Sequence, residues 1–303
     1  DSPAIDFCDT FRYDPVDTDI HGEVRGFDAP AVANGPFGTY DLGVDEWMSL
    51  FVADFEPGDC SQWTSDTGGI NLHRNVIFRD NGDQASQVVP LTVYPPTGTD
   101  NPRDLWKWMQ AYEDKTGGSV LAIAHNGNLS NGAMFPLIES FTGKPVDKEY
   151  ARQRAKWERL YETTQTKGDG ETHPFLSPND EFANFERWDK ANLDGSVVKT
   201  KDMLEFEYTR AALKNGLKLG KQLGTNPYKF GLIGSSDAHT GLSAMEEDNF
   251  FGKVSSGEPK PERLGATFMK NPKTGVQIMD WEVSASGYAA VWANANPRES
   301  IGD

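Results

Sequence analysis

Two short apolar runs, Val120-Leu-Ala-Ile-Ala124 and Phe230-Gly-Leu-Ile-Gly234, constrain the fold of this 303-residue chain more than any other feature. Each is five residues long, lacks polar alternation and is bounded by glycines or a polar loop, the pattern of a strand buried on both faces. Strands of that kind belong to parallel sheets covered by helices. Around them, strand-like and helical stretches alternate from Asn71 onward. The spacing predicts a strand over Asn75 to Arg79, then a helix capped by Asn101 with Leu105, Trp108, Met109 and Tyr112 at helical intervals, ended by Gly117 and Gly118. A helix over Asp147 to Arg159 should lead into a strand from Leu160 to Gln165, and one long helix over about Lys201 to Leu223 should feed the second apolar run. Beyond Asp248 the expectation is loop as far as a strand over Val276 to Ser284, followed by a small-residue helix from Ser286 to Trp292. The expected class is α/β with a mainly parallel sheet in one domain over 61–303. An irregular lead-in rich in Asp, Gly and Pro occupies 1–60.

Charge narrows the partners. With 46 acidic residues against 29 Lys and Arg the formal net charge is −17, which disfavours a nucleic-acid backbone or an anionic membrane surface. No apolar run reaches about 18 residues, so no membrane span is expected. Asp1 to Tyr13 lack the basic start and apolar stretch of a signal peptide, and removal of an export signal would leave the periplasm or the exterior open. Cys8 and Cys60 lack C-x-x-C spacing and fit either redox state.

Both apolar runs end in the same chemistry. The first runs into His125-Asn-Gly-Asn, and the second into Ser235-Ser-Asp237-Ala-His239. In parallel α/β architectures the carboxyl ends of strands converge on one face, where imidazole and carboxylate groups can share a site. Nitrogen together with carboxylate oxygen suits zinc, manganese or iron. His73, at the start of a strand, reads either as a further ligand, the preferred reading, or as a histidine that bonds a loop. His173 lies in the polar stretch Lys167-Gly-Asp-Gly-Glu-Thr-His-Pro, where it and Lys167 would contact an anionic substrate or close a lid; a solvated turn accounts for that stretch equally well. Asn126, Asn128, Ser130 and Asn131 supply groups beside His125 that would support it as a ligand, bond a substrate or form the turn itself. Eight tryptophans invite a sugar-binding reading, but Trp106 and Trp108 sit in a helical pattern and read as core.

Several longer stretches resemble a known family: Gln62-Trp-Thr-Ser-Asp-Thr-Gly-Gly, Asn71-Leu-His-Arg-Asn-Val-Ile-Phe-Arg-Asp, His125-Asn-Gly-Asn-Leu-Ser-Asn-Gly, Lys167-Gly-Asp-Gly-Glu-Thr-His-Pro-Phe-Leu-Ser-Pro and Gly234-Ser-Ser-Asp-Ala-His-Thr-Gly. They are similar to the DUF3604 family, related to the PHP superfamily of metal-dependent phosphoesterases, over roughly Ser61 to Glu299. The resemblance implies a partial or distorted PHP-like α/β barrel in which divalent metal ions activate water against a phosphate ester or related bond. By position it makes His73, His125, Asp237 and His239 the metal ligands, and Arg74, Lys167 and His173 substrate contacts. The sequence also departs from that pattern. The early His-x-His and Asp-His pairs of PHP proteins are absent, and Cys60-Ser-Gln62-Trp63 stands where relatives read Gly-Tyr-Glu-Trp. A binding protein that keeps the scaffold without the chemistry is therefore the alternative. A carbohydrate-active enzyme with paired carboxylates has no pair of acids to support it.

Overall fold

A computed structural model describes residues 72–91, 99–234, 237, 260–283, 289, 292–294 and 300. The lead-in over 1–60, Gln62 and His239 lie outside the described residues, as does most of the expected small-residue helix over 286–292.

In chain order the elements are β1 (Arg74–Phe78), α1 (Gly82–Ala85), α2 (Pro102–Thr116), β2 (Val120–Ala124), α3 (Lys148–Trp157), β3 (Leu160–Gln165), β4 (Gly168–Asp169), α4 (Lys201–Leu204), α5 (Thr209–Leu223), β5 (Gly231–Gly234), β6 (Thr267–Lys270) and β7 (Gln277–Met279). The helix boundaries follow from their caps. The Asn101 side chain accepts a hydrogen bond from the N–H of Arg103 at 3.0 Å, Pro102 opens α2, and Gly117 closes it in the left-handed region at φ 69°. Asp147 caps α3 through the N–H of Tyr150 at 2.7 Å.

β2, β3 and β5 run parallel, with β3 in the middle. β1 pairs with β2 in the opposite sense, and the two-residue β4 folds back antiparallel on β3. Among the described residues this mixed α/β sheet stays open and does not close into a barrel. β5 was expected to be buried on both faces, yet Leu232 is 50% exposed. Among the described residues β5 pairs on one side only, so it forms an edge.

Two other expectations need correction. The single helix over Lys201 to Leu223 is two, because tertiary hydrogen bonds capture the chain between them. Phe206 O accepts from Phe135 N at 2.9 Å, Thr209 N donates to Gly170 O at 2.9 Å, and Tyr208 takes an extended conformation. The buried Glu207 is meanwhile held by Lys199 at 2.5 Å. The expected loop before Val276 contains β6, which pairs antiparallel with β7.

The main core lies between the sheet and helices α2, α3 and α5, and aromatic rings dominate it: Phe78, Trp106, Tyr112, Phe135, Tyr150, Trp157, Tyr161 and Tyr228 are buried. Many meet edge to face, as Phe78 does Tyr112 at 4.8 Å and Phe135 does Tyr161 at 5.0 Å. Trp106 is therefore a core side chain. A charged group is buried with these rings. Glu158 accepts from Arg74 Nε at 3.1 Å and from Trp106 Nε1 at 2.9 Å, and it pairs with Arg154 at 3.1 Å.

Lys167 sits in the two-residue turn of the β3–β4 hairpin, where Gln165 pairs with Gly168. Gly168 has φ 105°, and a Cβ there would lie 2.6 Å from the backbone nitrogen of Trp188. Gly168→Ala is expected to cost about 1–3 kcal/mol of stability, since backbone must give way. Urea unfolding would measure the loss.

Candidate functional site

Strand register assembles the site. β2 and β3 place Ala124 beside Tyr161, so the next residues, His125 and Glu162, are neighbours at the carboxyl ends of two parallel strands. β5 adds Asp237, three residues beyond Gly234. β1 runs the other way and pairs Arg74 with Ala124, so His73 reaches the same edge from the start of its strand. The N–H of His125 donates to His73 O at 3.0 Å, and the two imidazoles stack with centroids 6.0 Å apart and planes 6° from parallel.

His125 is buried, with a carboxylate facing each ring nitrogen. Nδ1 contacts the carboxylate of Glu162, while Nε2 lies 3.7 Å from Asp237 Oδ1. A proton on Nδ1, donated to Glu162, leaves the Nε2 lone pair turned toward Asp237, the tautomer that a carboxylate imposes on a ligating histidine. The 3.7 Å separation is too long for a hydrogen bond. Two ligand atoms about 2.1 Å from one tetrahedral ion would lie roughly 3.4 Å apart, so this nitrogen and oxygen suit a shared borderline divalent cation. Asp237 itself has φ 52°, a left-handed turn that Asp tolerates better than most residues. Its other oxygen pairs with the ammonium of Lys167. Among the described residues, no group of three or more His, Cys, Asp or Glu side chains is arranged to hold one ion.

Of the residues expected from sequence, His73, His125, Asn126, Lys167 and Asp237 therefore come together, and His239 lies outside the described residues. Arg74 and His173 are placed elsewhere. Arg74 turns into the core, where Glu158 holds its Nε and the carbonyl of Leu72 accepts from Nη1 at 2.6 Å. In the loop containing His173, ring Nδ1 accepts from the N–H of Phe175 at 3.0 Å, which leaves Nε2 to donate to Asp189 at 2.9 Å. Both of its nitrogens thus serve the loop. Asn128 likewise donates to Lys167 O and Trp188 O, and Ser130 donates to Gly127 O, so these two side chains build the turn.

Sequence reasoning missed Glu162 and Gln165. Both lie in the correctly located strand Leu160–Gln165, and the signal was available: a carboxylate and an amide on the strand next in order to the one ending at His125.

Nearby, on β4, burial pushes the Asp169 carboxyl up to about 6, with backbone N–H groups of Glu171 and Thr172 pulling the other way. A raised carboxyl in the folded state means that stability is fully present below its ordinary value and falls as pH rises through the folded one. Asp169→Asn is accordingly expected to flatten the decline in thermal stability between about pH 4 and about pH 6, as a pH series of melting curves would show.

The class these features define is a mixed α/β protein with imidazole, carboxylate and ammonium groups gathered at the carboxyl ends of its parallel strands. A family profile described as a protein of unknown function, DUF3604, matches residues 59–303. The chain belongs to the DUF3604 family. Neither curated proteins nor solved structures show a significant match to it.

Proposed function

We propose that the protein is a metal-dependent hydrolase that cleaves a phosphoric ester or related bond in a small anionic substrate. The observation that carries this reading is His125, oriented by Glu162 at one ring nitrogen and facing Asp237 with the other. In this reading His125 and Asp237 hold a zinc, manganese or iron ion, with His73 and His239 as further ligands. The open sheet would then be part of a distorted PHP-like barrel. Such an ion would acidify a water and neutralise charge developing on the ester oxygens. The chain's own groups do the rest. Glu162 fixes the His125 tautomer, the Lys167 ammonium offsets the charge of Asp237, and Lys167 with Asn126 forms the polar wall against which an anionic substrate would sit. Arg74 and His173 are not used in this reading, since Glu158 and the Leu72 carbonyl hold Nε and Nη1 of Arg74 and the loop holds both nitrogens of His173.

A second reading, a binding protein that has kept the scaffold and lost the chemistry, draws on the Lys167 ammonium, which already neutralises the carboxylate that would hold the ion. Elemental analysis separates the two. The purified protein is expected to carry about one or more transition-metal ions per chain and to hydrolyse a chromogenic phosphate ester until a chelator removes them. Metal-free protein with no turnover across an ester panel, and ligand binding indifferent to chelators, would establish the second reading instead.

A further inference from the structure

Beside His125 runs a hydrogen-bond chain whose direction is set by a group that can only donate. The backbone N–H of Lys167 donates to Gln165 Oε1 at 2.9 Å, so that oxygen is the acceptor and Gln165 Nε2 must donate. Nε2 donates to Asn126 Oδ1. The Asn126 oxygen is thereby committed, and its Nδ2 is the group left over. Asn126 is only 1% exposed, and among the described residues its enclosed Nδ2 has no hydrogen-bond acceptor. An enclosed N–H without an acceptor is rare and destabilising in a folded chain, so this one calls for a partner. The residue follows His125 directly and is held in the left-handed region at φ 54°. The same Gln165 also bonds the backbone of Lys167, whose ammonium meets Asp237.

We infer that Asn126 Nδ2 donates to an anionic oxygen of the substrate, a phosphoryl oxygen by preference, and that Gln165 is the positioning residue that holds the amide in that sense. The identity of the anion rests on the hydrolase reading; the direction of the amide does not. A donor enclosed in protein forms a stronger hydrogen bond to an oxyanion than to a neutral acceptor, which is how the site would tell a phosphate from water.

The test is calorimetric titration of the full chain with inorganic phosphate, for the wild type, Asn126→Gly, Gln165→Met and the double variant. Glycine adopts the positive φ of residue 126 without strain, and methionine keeps the length of Gln165 while removing both of its hydrogen bonds. Asn126→Gly is expected to weaken phosphate binding about 10- to 100-fold. Gln165→Met should weaken it about 3- to 10-fold, because the amide is then free to turn. The double variant should bind no more weakly than Asn126→Gly alone, since Gln165 acts through Asn126. Circular dichroism melts establish that each variant is folded. Should Asn126→Gly fail to fold, Asn126→Asp carries the same comparison, with an oxygen in place of the donor and at least as large a loss expected. Wild-type affinity in the Asn126 variant would mean that the donor serves a water, and would overturn the inference. So would an equal Gln165→Met loss in both backgrounds, or a wild type that takes up no phosphate. Metal content and ester turnover of the same wild-type preparation keep the two readings apart. Asn126-dependent phosphate binding without metal or turnover sinks the hydrolase and leaves this inference standing, whereas metal-dependent turnover with Asn126-independent binding does the reverse.

Discussion

On the proposed hydrolase reading, His125→Ala is expected to abolish divalent-ion binding and to lower ester hydrolysis by roughly 10³-fold, the rate equivalent of several kcal/mol of lost charge stabilisation. Its more informative companion is Glu162→Gln. The amide oxygen still accepts from Nδ1 of His125 but no longer carries the charge that favours that tautomer and raises the basicity of the ring. A loss of about 10- to 100-fold in metal affinity is expected, with a well-folded protein. Metal titration followed by elemental analysis checks both variants. The two together grade the site, because a ligand and the group orienting it should differ in severity. Equal retention of metal by both variants would leave the proposed centre without its principal residues.

The second large effect lies beneath the site. Glu158→Gln is expected to cost about 3–5 kcal/mol, the range for breaking a buried ion pair so that its partners remain charged and uncompensated. Here two such partners would remain, Arg74 and Arg154, both fully enclosed. Arg154 also lies over the rings of Phe135 and Tyr228 and bonds Met134 O at 2.6 Å, so it has no route to solvent. The melting temperature should fall by roughly 6–20 °C. Burial acts to raise the Glu158 carboxyl, but Arg154 and Arg74 outweigh it and hold it below the usual carboxylate range. For a carboxyl depressed on folding, the stabilisation is complete above the unfolded value and is lost as pH falls through the folded one. The gap between wild type and Glu158→Gln should therefore be widest near neutrality and close on acidification. A gap independent of pH would show that Glu158 contributes through shape rather than charge.

The residues at which sequence reading succeeded share a physical character. Asn101, Asp147 and Gly117 mark helix ends through local hydrogen bonds and local backbone geometry, which neighbouring residues alone determine. The apolar run over Val120 to Ala124 and the strand over Leu160 to Gln165 were legible from composition alone. What escaped was everything decided by partners distant in sequence. The break between α4 and α5 is produced by Phe135 and Gly170, far upstream. The sequence shows a carboxylate on the strand next in order, but only the register sets Glu162 beside His125. Arg74 illustrates the converse. The family resemblance makes it a substrate contact, but strand alternation turns successive side chains to opposite faces, and that of Arg74 is the core.

The reversed direction of β1 has a practical consequence for anyone who alters this protein. In the parallel strands, chain leaving the sheet passes the candidate site, whereas at β1 it is the chain entering the sheet that does so, at Leu72 and His73. Changes at Leu72 and His73 would thus fall at the site itself. Grafts after Phe78, at the opposite margin of the sheet, should leave the candidate site untouched, which makes that turn the safer place for a label or a fusion.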